Sequence, residues 1–210
     1  ALDRSRSGRA AVRRGSAHRH VSTTRRRQPF WRHSLKLYAA AGIAPACLAL
    51  QDDHGVDVNL LLLCCWLGSQ GRVLGVRDMR AAMTSVVHWQ RNVIQPLRTV
   101  RRALKSMAHG ALADAAPRLR QKLSRLELDA EFQEHELLLQ WAASRSFTRR
   151  PDTPQAATAV NLRTYLRLMG VPEARTEATL AAFAVNVKGV AATPSGPTGA
   201  HRTVIRRRAR

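Results

Sequence analysis

Apolar residues along this chain recur mostly at steps of three and four, the period of a helix with one buried face. No stretch alternates apolar and polar positions over a useful length, so the pattern predicts no sheet. Seven helices are predicted, at residues 30–40, 45–54, 58–67, 78–107, 117–143, 156–169 and 172–189. Pro29 opens the first and Gly42 follows it; Gly55 stops the second, Asp57 caps the third, Pro117 suits the first turn of the fifth, and Gly170 ends the sixth. The third helix is apolar on every side, from Leu60 to Leu67, which places it at the centre of a bundle. In the fourth, Met79, Met83, Val86, Val93, Leu97, Val100, Leu104 and Met107 form a heptad seam, and Pro96 is expected to kink it. That seam also offers a surface for homo-oligomer formation. Leu119, Leu123, Leu126, Ala130 and Leu137 mark the seam of the fifth helix.

The fold class is therefore all-α: a single bundle of about seven helices over residues 30–187 with an apolar helix at its centre. Residues 1–29 and 188–210 carry too little apolar surface to offset chain entropy and are expected to be disordered basic tails. The longest apolar run, residues 58–67, is half the ~20 residues a membrane span needs, so no transmembrane segment is expected, and the expected location is cytoplasmic. Cys47, Cys64 and Cys65 sit in apolar helical sequence without metal-ligand spacing and read as reduced, buried thiols.

Phe30-Trp31, Ser34, Tyr38 and Gly42 lead into Ala46-Cys47-Leu48, Leu50-Gln51-Asp52 and His54-Gly55. Asp57 to Leu62, Trp66-Leu67, Trp89, Pro96-Leu97-Arg98, Arg101-Arg102 and Leu104-Lys105 follow. This constellation resembles an uncharacterised, mainly proteobacterial family of small all-helical proteins catalogued as a domain of unknown function. The resemblance is densest over residues 30–105 and thins toward residue 170. Ala41 departs from it, where proline is expected. It implies a helical fold and supplies no activity, cofactor or catalytic residue.

The formal net charge is +21, of which residues 1–29 carry +8, residues 30–187 carry +7 and residues 188–210 carry +6. Such charge suits an anionic partner. Only four of the 35 basic residues are lysine, however, and an arginine-rich coding bias supplies such charge without selection for binding. Within the predicted fold, Arg98, Arg101, Arg102 and Lys105 run along one helix, and Arg118, Arg120, Lys122 and Arg125 along the next. If the two helices form an antiparallel hairpin, all eight crowd its tip, with Asp114 alone to offset them while Glu127, Asp129, Glu131, Glu134 and Glu136 lie further off. The spacing opposes local stability through like-charge repulsion and the helix macrodipole. It points to a non-enzymatic interaction module that binds nucleic acid or an acidic protein. A solvated arginine-rich face is the plainer explanation. Aromatic side chains for base stacking are missing beside the stripe.

The alternative from another class is a metal-binding protein or enzyme built on the polar corner of Gln51, Asp52, His54, Asp57 and Asn59. Helix caps and turn chemistry explain those residues as well. Glu131, Glu134, His135 and Glu136 do not start a Glu-x-x-His motif and read as a solvated helix face. Gly68, Gly71 and Gly75 read as a flexible connector rather than a phosphate loop. His33, Ser34, Ser85 and His88 have no strand–turn–helix elbow to make a nucleophile. No catalytic, cofactor or metal residue is assigned, no cofactor is expected, and a small-molecule site between helices remains open.

Overall fold

In a computed structural model, residues 25, 27–149 and 153–187 are described. The two expected tails therefore lie mostly outside the described residues, with one correction at the N-terminal boundary. Gln28 is buried, its side chain accepts from the Trp31 amide, and Arg25 pairs with Asp129 at 2.7 Å, so the fold begins before residue 30.

The fold is all-α. Helix α1 (Pro29–Tyr38) turns sharply into α2 (Ile43–His54), the two axes meeting at 97°. Gly42 makes that corner in the left-handed region, at φ 80°. Helix α3 (Val58–Gly68) follows, capped by Asp57, whose carboxylate accepts from the Asn59 amide at 2.9 Å. Then come α4 (Val76–Trp89), a π-helical turn (Gln90–Ile94) and α5 (Gln95–Ser106), stacked as one continuous rod. A 3₁₀ turn (Gly110–Leu112) leads to the long α6 (Ala115–Ala143), and α7 (Pro154–Leu168) and α8 (Glu173–Val187) complete the bundle.

Helix α3 is the centre, as its composition requires. Leu61, Leu63, Cys64, Cys65 and Leu67 are wholly sealed from solvent, and α1, α2, α6 and α7 pack around it. The three cysteines are free and buried, and burial pushes the Cys47 thiol up to about 12. Where α3 crosses α7, Gly68 lies against the backbone of Thr158, so the connector after α3 starts from a tight helix contact. A two-residue antiparallel pair, β1 (Arg72–Val73) with β2 (Thr148–Arg149), is the one departure from helix–helix packing among the described residues. It is held by Asn161, fully buried, whose side chain accepts from the Leu74 amide at 2.7 Å and donates to the carbonyls of Cys64 and Arg72 at 3.1 and 3.0 Å. Among the described residues no single helix is long and apolar enough to cross a membrane.

The predicted seam of the fourth helix holds only in part. Met79 and Val86 are buried, but Val100 and Met107 are exposed and Ile94 and Arg98 are buried instead. The π turn inserts one residue into the helical register, which rotates everything beyond it by about a quarter turn. Pro96 is the second residue after this turn, where its missing N–H removes one helical donor. The seam of α6 is also corrected. Ala130 is buried as the pattern predicts, but Leu119, Leu126 and Leu137 are exposed, while Phe132, Glu134, His135, Leu138 and Trp141 turn inward.

Candidate functional site

Helices α5 and α6 do form an antiparallel hairpin. Arg98 meets Glu131 at 2.8 Å and Arg101 meets Glu127 at 2.6 Å, pairs whose numbers run in opposite directions. This splits the eight basic residues. Arg98 is only 6% exposed, and Arg102 reaches across to Asp52 of α2 at 2.8 Å. Lys105, Arg118, Arg120, Lys122 and Arg125 are exposed and have no ion pair among the described residues. The acids expected to lie away from the basic stripe thus neutralise its inner half, because antiparallel pairing brings residues 127 and 131 opposite residues 101 and 98. The outer half keeps its charge, and Met107, Leu112 and Leu119 are exposed among it.

The polar corner does not converge on one point. Asp52 pairs with Arg102 and Asp53 with Arg175 at 3.1 Å, both on the surface, and His54 is half-buried. Asp57 is occupied as the cap of α3. Gln51 and Asn59 line a cleft between helices. Among the described residues no three His, Cys, Asp or Glu side chains stand close enough to share a metal ion.

Glu134 belongs to a buried network rather than to a solvated face. It has no solvent exposure, and Asn59 Nδ2 donates to it at 2.5 Å. Gln90, at the start of the π turn, donates from Nε2 to Glu134 at 2.9 Å and to Asp57 at 2.7 Å. The Tyr165 hydroxyl accepts from the Asp57 amide at 2.8 Å. Burial, then the neighbouring Asp57 charge, holds the Glu134 carboxyl far above the ordinary carboxylate range, so it carries its proton at neutral pH. Asn59 is the one polar residue inside the apolar α3 sequence, and a buried amide demands a partner; that was the available signal.

His135, next along α6, is 1% exposed and sits against Phe30 and Trp31. Its Nδ1–H donates to the Glu131 carbonyl at 2.9 Å, which leaves Nε2 to accept from the Ser34 hydroxyl at 3.0 Å. Burial lowers its pKa to about 4, so the ring is neutral. Ser34 is mid-helix in α1, where backbone N–H groups serve the helix and none is left to stabilise an oxyanion. The pair therefore reads as a tie between α1 and α6. Ser85 bonds to the Ala82 carbonyl instead, and His33 is buried without a Nε2 partner among the described residues.

The family described as "Protein of unknown function (DUF2390)" matches residues 29–138. The chain belongs to that family. No curated protein and no solved structure matches it. The stretch matched to DUF2390 runs from the first residue of α1 to Leu138 of α6. It contains α5 and α6 as far as Leu138, Asp57, Asn59, Gln90 and Glu134 of the buried network, and the Ser34–His135 tie. Tyr165, Asn161 and Thr158 lie beyond it, on α7, so the last two helices pack against the matched DUF2390 unit from outside.

Proposed function

We propose that this chain is a non-enzymatic interaction module that binds an acidic protein segment on the tip of the α5–α6 hairpin. One observation supports it: five exposed basic side chains without ion pairs among the described residues share the tip with the exposed apolar side chains of Met107, Leu112 and Leu119. Arg118, Lys122 and Arg125 follow steps of four and three, so they stand on one face of α6. An acidic amphipathic helix complements both properties, because its carboxylates meet the arginines while its apolar side chains cover the aliphatic ones. Phosphate contacts alone give the aliphatic side chains nothing to bury against, and residues 98–125 contain no Phe, Trp or Tyr to stack on bases. For these reasons protein is favoured over nucleic acid.

The test is fluorescence anisotropy with the full chain at near-physiological salt. The probes are a labelled amphipathic helical peptide rich in Glu and Leu, its Gln-for-Glu counterpart, and mixed-sequence duplex DNA. The reading requires binding of the acidic peptide alone, lost in Arg118→Glu/Lys122→Glu/Arg125→Glu. Binding of DNA in preference to the peptide would reassign the tip to nucleic acid.

A further inference from the structure

A cleft with a volume of about 270 Å³ opens between α1, α2, α3, α5 and α6, on a different face from the hairpin tip. That is close to the lower end of the ~300–1,000 Å³ typical of small-molecule sites. Its walls are apolar, formed by Trp31, Val58 and Leu62, and its rim includes Leu35, Leu48 and Leu128, which are 52%, 46% and 43% exposed. Rims of that kind leave aliphatic surface in water unless something covers it.

The polar lining offers guanidinium donors. Arg98 pairs with Glu131 and Arg101 with Glu127 through one N–H each, so the two pairs balance in charge, and His135 adds none because its ring is held neutral between the Glu131 carbonyl and Ser34. Arg98 is the informative residue. Its Nη2 donates to Glu131 at 2.8 Å, but its Nη1 is buried with no hydrogen-bond partner among the described residues. A buried guanidinium N–H left unpaired is costly, and an acceptor in the cleft would remove that cost. A planar fork matched to a two-oxygen head favours a carboxylate.

We propose that the cleft binds a small amphipathic carboxylate of the medium-chain fatty acid type. The acyl chain lies along Trp31, Leu35, Leu48 and Leu62, and the carboxylate meets Arg98 and Arg101. The site is independent of the hairpin tip, whose five unpaired basic residues do not line the cleft.

Isothermal titration calorimetry on the full chain tests this with octanoate, octanol and octylammonium. Octanoate is expected to bind about tenfold or more tightly than either of the others, the margin of one charge-assisted contact. Leu48→Trp, at the exposed rim, fills the cleft without touching an ion pair and is expected to abolish binding. Arg98→Gln/Glu131→Gln exchanges the ion pair for a neutral one and is expected to erase the preference for octanoate over octanol. No binding of octanoate by the wild-type chain overturns the proposal. So does equal affinity for all three probes, or binding unchanged in Leu48→Trp.

Discussion

Replacing Gly68 by alanine should unfold this bundle more readily, although the same change in most helices does the opposite. Alanine is favoured over glycine inside a helix by ~0.8–1.0 kcal/mol. At Gly68, however, an added Cβ falls 2.5 Å from the Cα of Thr158 and 2.6 Å from its backbone nitrogen. Ordinary contacts between carbon atoms lie near ~3.5–4.0 Å, so α3 and α7 must separate locally by about 1 Å. Both groups are helix backbone, and no rotamer change relieves them. Overpacking of a tight core costs ~1–3 kcal/mol, and a backbone-to-backbone clash belongs at the upper end or above. Subtracting the gain in helix propensity leaves a net loss of about 2 kcal/mol, or roughly 4–8 °C in melting temperature for a chain of this length. Urea unfolding of the full chain, followed by far-ultraviolet circular dichroism, reads the change directly. Thr158→Ala in the same background should not restore stability, because the Thr158 backbone remains in place. A Gly68→Ala protein as stable as wild type, or more so, refutes the α3–α7 crossing described above.

Two further predictions concern α6. Because burial raises the Glu134 pKa above its ordinary 4.5, the folded chain holds a proton that the unfolded chain loses. The stabilising contribution of the neutral acid is complete below 4.5 and is lost as pH climbs from there through the raised value. Glu134→Gln, neutral at every pH, should gain stability relative to wild type between about pH 5 and about pH 9, measured by urea unfolding; parallel pH profiles would mean that Glu134 is ionised in the fold. Arg118 stands in the first turn of α6 and faces Lys122 four residues on, so Arg118→Glu replaces a repulsion with an attraction and suits the macrodipole. It should raise stability by about 0.5–1 kcal/mol in thermal melts while weakening the acidic peptide, and a loss of stability would mean that Arg118 already has a structural partner.

The parts of the fold visible in the sequence are those fixed by local physics. The apolar run of α3, the Gly55 stop at φ 64° and the Asp57 cap each depend on residues within one turn, and each stands where the pattern puts it. The hairpin followed from two long helical segments joined by a short turn. What escaped was register and partnership. One extra residue at Gln90–Ile94 changes the buried face from Val100 to Ile94 and Arg98, and helical periodicity counted across that point has no means of showing the slip. On α6, scoring apolar residues alone put Leu119 and Leu126 inward and left Glu134 and His135 in solvent. Their burial depends on Asn59, Gln90 and Ser34, which belong to three other segments; the Asn59–Glu134 pair spans 75 residues. The polar corner divides for the mirror reason: neighbours in sequence, Asp52 and Asp53, are drawn to opposite partners in α5 and α8. The cleft likewise draws its lining from five helices, so no contiguous motif announces it.

The central claim is that the unpaired half of the basic stripe serves an acidic protein partner. Its most direct measurement is the anisotropy titration of the full chain against the acidic Glu/Leu peptide, with the charge-reversed triple variant at Arg118, Lys122 and Arg125 alongside. The account predicts saturable binding at near-physiological salt that disappears in the variant while its circular dichroism and melting temperature are retained. Equal binding by the two proteins, or binding by wild type only at low salt, contradicts it and leaves the charge as an ordinary solvated surface.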